Sequence, residues 1–353
     1  ARQLAYFSLM MKARQYDKRF LSRRDIPQPK VYAIEESNFF KTENGKNIIE
    51  YFVDGDNDLK KDIDSIIEDM MNAKEYGSIV NVNPVNFKNI YKRFDEIRNE
   101  FIISTDAILA LEQLLPLVEL AEVLADKYDV VVTNPPYMGN RGMNSKLLKY
   151  VNENYTDSKS DLFAVFMESC NRMTKKNKFQ AMITQHSWMF ISSYEALRDM
   201  IQDIDIVNMA HLGSRAFEEI SGEVVQTTTF VFRNNYVLNY KGTYVRLTEA
   251  NSQDSKEEMF LRGEERYIIS QINFDKIPGK PIAYWVSDQL FNCFDSTLLE
   301  DVYETKKGMF TGNNNYFLKL WYEIECKKLG NDFRFYNKGG GFRRWYGHND
   351  III

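Results

Sequence analysis

The chain has 353 residues, 44% apolar and 14% aromatic, which is enough to bury a sizeable core and to hold more than one structural unit. Its formal net charge of −5 excludes a protein that coats nucleic acid by bulk electrostatics, so phosphate contacts must come from a local patch of Lys and Arg. No apolar run reaches the ~18 residues of a membrane span, and Cys170, Cys293 and Cys326 are too widely spaced for a CxxC site, which predicts a soluble, cytoplasmic protein with reduced thiols and no metal.

Leu4, Phe7 and Met11 stand at helical spacing and predict a helix over residues 1 to 15. No N-cap residue precedes it, and the chain closes on Ile351-Ile352-Ile353, a β-branched run with nothing to pair against. Both ends read as cuts through a longer protein. Lys30 to Ile34 reads as a short strand that ends in the acidic turn Glu35-Glu36-Ser37-Asn38. From Lys41 to about Leu124 the pattern turns helical, with Ile63, Ile66, Ile67 and Met70 on one helix, Phe87, Ile90, Tyr91, Phe94 and Ile97 on another, and Leu111 to Leu124 on a third. This stretch, residues 41–124, is predicted to be a helical insertion without a catalytic signature, following a first core segment at 1–40.

Asp129 to Thr133 is a β-branched run of the kind buried in a parallel sheet, and it leads directly into Asn134-Pro135-Pro136-Tyr137. A loop rich in Gly, Asn and Ser follows (Gly139 to Ser145), then a helix opened by Asp161 and a strand from Phe179 to Thr184. A helix over Tyr194 to Met200, a strand over Ile204 to Leu212 and a β-rich run from Val224 to Phe232 complete the alternation. The fold class expected is α/β, a doubly wound Rossmann-like sheet in which ligands bind beyond the strands' carboxyl ends. Residues 125–235 form its main part, and a C-terminal α+β region begins at 236. Val302 to His348 is the basic stretch, with nine Lys and Arg against four Asp and Glu.

The tetrapeptide carries the chemistry. An exocyclic amino group on an aromatic ring is a poor nucleophile because its lone pair is delocalised. Two acceptors set against its two N–H bonds localise that pair, and the side-chain oxygen of Asn134 and the main-chain oxygen of Pro135 can supply them. Successive prolines remove two backbone donors and fix φ, which holds the neighbouring carbonyls in a rigid extended turn. Tyr137 offers a flat face for a base flipped from a duplex; unstacking costs a few kcal/mol and aromatic stacking returns roughly 1–3 kcal/mol. The bland alternative is an ordinary rigid loop, which the strand before and the Gly-rich loop after it disfavour.

At these residues the sequence resembles the amino-methyltransferases, and within them the adenine-specific enzymes of bacterial restriction and BREX phage-defence systems. Ala1 to Arg14, Thr133 to Gly139, His211 to Phe232, and the C-terminal stretches KKGMFTGNNNYFL and KGGGFRRWYG carry the match. The resemblance implies a DNA adenine-N6 methyltransferase that uses S-adenosylmethionine. It implies double-stranded DNA with a flipped adenine as substrate, with other restriction or defence subunits as partners and a recognition domain beyond Ile353. It puts the glycine-rich cofactor loop and the ribose-binding carboxylate upstream of Ala1, because Gly312 and Gly339-Gly340-Gly341 lack the strand-before, helix-after context.

What remains of the cofactor site is expected at Glu35, Glu36 or Asn38, with Phe39 either stacking on the cofactor's adenine or packing in the core. Phe230 and Phe232 share one strand face and either contact the flipped base or pack; Arg343 and Arg344 are expected on DNA. His186, His211 and His348 read as isolated from one another, which argues against zinc or a nucleophilic histidine. Two other readings stay open: a glutamine or RNA methyltransferase of the same fold, and a non-catalytic DNA-binding or assembly module.

Overall fold

The structure is a computed structural model that describes residues 2–101, 104–217, 225–304 and 309–353. The chain divides into two compact units, residues 1–295 and 296–353.

Helix α1 (Arg2–Tyr16) buries none of its residues, and Leu4 and Phe7 face outward. The strand expected at Lys30 to Ile34 does not form. Its backbone is extended, but among the described residues no strand pairs with it, and extended chain without a ladder is not a strand.

The predicted insertion is all helical: α2 (Glu43–Val53), α3 (Asn57–Asp69), α4 (Ala73–Tyr76), α5 (Phe87–Arg98), α6 (Thr105–Leu109) and α7 (Leu115–Ala125), with a π-helical turn at Ala110–Leu114. Thr42, Asp56, Asn86 and Ser104 each accept a hydrogen bond from a first-turn N–H, satisfying donors that have no partner inside the helix. The apolar faces converge on a core of their own, in which Ile48, Phe52, Ile63, Ile66 and Phe94 are fully buried. Gly45 is required where α2 crosses the preceding turn, because a Cβ there would sit 2.3 Å from the Phe39 carbonyl oxygen.

The sheet contains β1 (Tyr128–Thr133), β2 (Thr174–Gln185), β3 (Asp205–Gly213), β4 (Thr227–Arg233), β5 (Lys241–Arg246) and β6 (Arg266–Ser270), in the order β1-β2-β4-β3-β5-β6. Helices α8 (Ser145–Asn154) and α9 (Leu162–Met173) connect β1 to β2, α10 (Glu195–Gln202) connects β2 to β3, and α11 (Gln253–Arg262) connects β5 to β6. Strands β1, β2, β3 and β5 point the same way; β4 and β6 run against them. The architecture is therefore mixed α/β with a mostly parallel sheet. The β-rich run expected from Val224 begins at Thr227, and Val224 lies outside the described residues.

Strand β1 is not interior. Among the described residues it pairs only with β2, so it forms the sheet's edge, with Val130 58% and Val132 69% exposed. A β-branched run is equally compatible with either position, which is why the sequence misplaced it.

The first unit also runs well past 236. β5 pairs with β3, and Tyr244, Phe274, Tyr284 and Phe291 enter the same core as Phe230 and Phe232. Two buried cations tie loops to this core. Arg198 donates to the carbonyls of Trp188, Ile191 and Gly279, each at 2.8 Å. The Lys256 ammonium donates to those of Leu212, Leu247 and Ala250 at 2.7–2.8 Å, capping the ends of β3 and β5.

In the second unit, β7 (Lys319–Leu320) pairs antiparallel with β8 (Ile351–Ile352), and Arg334 and Ile353 exchange backbone hydrogen bonds at 2.9 Å. The terminal Ile351 to Ile353 run therefore has partners, contrary to the sequence reading, and Ile352 is fully buried. Those partners lie about 20 to 30 residues upstream, beyond any local pattern.

Candidate active site

The register of β1 on β2 sets Thr133 beside Met182, so Asn134 leaves the sheet at its carboxyl end, next to Ile183. Asn134 is exposed and its amide has no hydrogen-bond partner among the described residues; the buried Pro135 likewise has a carbonyl that accepts none. Tyr137 is half-buried, edge-on to Phe163 at 6.1 Å between ring centroids, with its hydroxyl 3.5 Å from the Ile183 carbonyl. Phe163 continues the aromatic contact to Tyr194 at 5.6 Å. Burial raises the pKa of the Tyr137 phenol, and the Asp161 carboxylate adds to the rise, so the hydroxyl stays protonated at neutral pH.

The loop beyond the motif is pinned by Asp161. Its carboxylate accepts from the Met138 N–H at 2.9 Å and caps α9 through the Phe163 N–H at 3.3 Å, while the Leu162 N–H donates to the Met138 carbonyl at 3.0 Å. Burial raises the pKa of Asp161 although three backbone N–H groups oppose that. One half-buried carboxylate thus fixes both the helix start and the segment directly after Tyr137, a role with no mark in the sequence beyond its cap position.

The turn expected to meet the cofactor's adenine splits into committed and uncommitted residues. Glu35 forms an exposed ion pair with Lys74 at 3.3 Å. The Asn38 side chain is occupied by Asn72, accepting from its N–H at 2.9 Å and donating to its Oδ1 at 3.4 Å. Glu36 is half-buried without a hydrogen bond or ion pair among the described residues, and Phe39 is exposed. Asn72 also accepts from Lys146 at 3.2 Å, and Glu75 accepts from Asn144 at 2.8 Å, so this turn and the start of α8 lean on one connecting segment.

Phe230 and Phe232 are core residues. They stack at 4.0 Å beside Trp188 with 1% and 0% exposure, so neither ring can reach a base without displacing the core. Arg343 and Arg344 are exposed in the second unit, with Arg344 over Trp345 at 5.4 Å and neither in an ion pair among the described residues. Lys306 and Lys307 of the basic stretch lie outside the described residues.

The histidines are not all isolated. His186 Nδ1 and His211 Nε2 lie 2.7 Å apart, and His211 Nδ1 lies 3.1 Å from the Tyr284 hydroxyl. His186 follows β2 and His211 belongs to β3; β4, which comes later in the chain, lies between them. Both sit at strand carboxyl ends, the one sequence signal that could have linked them. Among the described residues no three His, Cys, Asp or Glu gather as a metal site, and no helix is long and apolar enough to cross a membrane.

A mostly parallel sheet that presents Asn-Pro-Pro-Tyr at a strand's carboxyl end is the arrangement of a methyltransferase domain. The profile of the Eco57I restriction-modification methylases matches residues 1–217, and the chain belongs to that family. It is 37% identical to the adenine-specific methyltransferase PglX of Lacticaseibacillus casei (strain Zhang), over 99% of the chain and 30% of that protein. It is 36% identical to the adenine-specific methyltransferase BrxX of Escherichia coli O9:H4 (strain HS), over 100% of the chain and 31% of that protein. The chain thus spans about a third of the length of these relatives. Among solved structures it is similar to a nuclease-deletion mutant of the Type ISP restriction-modification enzyme LlaGI in complex with a DNA substrate mimic, with TM-score 0.36 and 17% identity over 58% of this chain and 23% of that one.

Proposed function

We propose that this chain supplies the amino-activating part of an enzyme that transfers a methyl group from S-adenosylmethionine to N6 of adenine in double-stranded DNA, in restriction-modification or phage defence. The observation that carries this is a pair of acceptors without partners among the described residues, the Asn134 amide oxygen and the Pro135 carbonyl, on a proline-stiffened turn at the carboxyl end of β1. Asn134 and Pro135 accept from the two N–H bonds of a flipped adenine and localise the nitrogen lone pair. Pro136 holds the turn, and Tyr137 stacks on the ring.

Glu36 and Phe39 fit the adenine end of the cofactor, because that carboxylate has no partner among the described residues and that ring is exposed. Glu35 and Asn38 are occupied elsewhere and serve the turn's shape. When bound, S-adenosylmethionine supplies an electrophilic methyl on sulfonium sulfur. This chain's residues then contribute alignment, an entropic effect that needs no strong base. Arg343 and Arg344 contact the DNA backbone, and other restriction or defence subunits are partners.

The test is methyl incorporation by the intact enzyme into duplex DNA, compared with RNA and with a glutamine-bearing release factor. Transfer to adenine in DNA that is lost in Asn134→Ala supports the reading. Normal methylation by Asn134→Ala, or transfer only to RNA or protein, overturns it.

A further inference from the structure

The pair of touching histidines has no part in the chemistry above, yet it stands at the same end of the sheet. The His186 backbone N–H donates to the Gln226 carbonyl at 3.0 Å, which places the residue where β2 leaves the sheet. The loop it opens lies alongside the motif loop. Tyr194, at that loop's far end, touches Phe163, which touches Tyr137, and the Ser160 hydroxyl donates to the Ser193 carbonyl at 3.3 Å.

The hydrogen-bond chain has a direction. Tyr284 is buried, and among the described residues its hydroxyl meets only His211 Nδ1. If His211 donated to it, the phenol proton would be buried without an acceptor, which is the costly arrangement. The satisfied arrangement runs outward: Tyr284 O–H donates to His211 Nδ1, and His211 Nε2–H donates to His186 Nδ1. The second nitrogen of His186, Nε2, then carries a proton. That nitrogen has no partner among the described residues, and His186 is only half-buried.

The surroundings keep both rings neutral. Burial lowers the pKa of His211 to about 3, helped by His186, Arg246 and Lys256, and burial lowers that of His186. Arg246 pairs in register with His211 on the adjacent strand, stacks over Trp285 at 5.4 Å, donates from Nε to the Thr248 hydroxyl at 3.2 Å and makes an exposed contact at 3.6 Å with Glu249. Phe190 closes the corner, edge-on to both His186 and Trp285. The result is a neutral donor on His186 whose partner ring, His211, feels the Arg246 guanidinium, a setting that suits an anionic oxygen.

We propose that His186 donates through Nε2–H to a phosphodiester oxygen flanking the target adenine, with His211 and Tyr284 as positioning residues that fix its tautomer. This rests on the function proposed above. The contact holds the flipped nucleotide's backbone and takes no part in methyl transfer itself.

The experiment uses the intact enzyme and a duplex containing its methylated site, mapped by sequencing, with either a natural phosphate or a neutral methylphosphonate next to the target adenine. His186→Ala is expected to raise the KM for natural DNA about tenfold with kcat kept within about twofold, a loss typical of one hydrogen bond to a charged group. His186→Gln, which retains a donor, recovers part of this, and Tyr284→Phe gives a smaller loss of the same kind. On methylphosphonate DNA, His186→Ala and wild type become equal, because the contact is already gone. Losses that simply multiply, a Gln variant no better than Ala, or coupling to a 7-deazaadenine substitution in place of the methylphosphonate overturn the assignment. Thermal melting of each variant separates these results from misfolding. A wild type that methylates adenine but shows no coupling sinks this inference alone, whereas a wild type that never methylates adenine sinks the function it rests on.

Discussion

Replacing Asp161 with Ala tests how the motif loop is held. The substitution removes a helix cap, costing about 1 kcal/mol, and a hydrogen bond from the Met138 N–H to a charged acceptor, costing about 1.5–3 kcal/mol. Against this, the half-buried carboxylate is relieved of its desolvation, the cause of its raised pKa, which returns roughly 1 kcal/mol. The net loss is therefore about 1.5–3 kcal/mol, or a fall in Tm of about 2–5 °C for a unit of residues 1–295. Asp161→Asn keeps an oxygen in place and should lose about half as much. Because Met138 directly follows Tyr137, methyl transfer should fall further than stability explains, at a temperature where both variants remain folded. Differential scanning calorimetry and initial rates on duplex DNA measure the two effects. Unchanged rates in folded Asp161→Ala would show that the loop holds its shape without the carboxylate.

The histidine pair predicts acid sensitivity. Unfolded histidine titrates near 6.5 and folded His211 at about 3, so between these values the unfolded chain binds a proton that the folded chain refuses; stability is complete above pH 6.5 and falls as pH drops, by about 1.4 kcal/mol per unit. Urea unfolding of His211→Gln should show a shallower acid limb than wild type, and parallel limbs would count against the buried neutral pair. Tyr137→Ala should weaken methylation more than Tyr137→Phe, since stacking uses the ring; equal losses in rate assays would assign the work to the hydroxyl. Arg343→Ala with Arg344→Ala should weaken DNA binding and reduce the slope of log K against log salt by about 1–2, and an unchanged slope in filter binding means those side chains do not touch phosphate. Phe230→Ala should cost about 3–5 kcal/mol as a core cavity, so calorimetry should find it destabilised; a stable variant that fails to methylate would return the ring to the substrate.

The strand that leads into Asn134 and the helical stretch before it were legible because periodicity and proline chemistry are local. The role of Phe230 and Phe232 was not, since alternation places two rings on one face without saying whether that face meets ligand or core. The His186–His211 contact was hidden by topology, because β4 enters the sheet between β2 and β3 although it follows both in sequence. The edge position of β1 and the pairing of Ile351 to Ile353 depend on which distant segments arrive as neighbours, and no residue in either run records that. Asp161 was visible as a helix opener, but its hold on Met138 joins positions 23 residues apart through a fold that had first to exist.

Asn72 links the turn proposed for the cofactor's adenine to the helix beyond the motif loop. Its side-chain oxygen accepts hydrogen bonds from both Asn38 and Lys146, and its own backbone N–H donates to Asn38, so one residue is shared between the turn that carries Glu36 and Phe39 and the helix that follows the motif loop. A ligand that shifts either neighbour alters the hydrogen bonding left for the other. Any coupling that this shared amide carries between ligands at the two proposed regions would be the same factor in both directions, as thermodynamic reciprocity demands. Asn72→Ala, which deletes the shared oxygen, should leave each region able to bind on its own while making the two events independent.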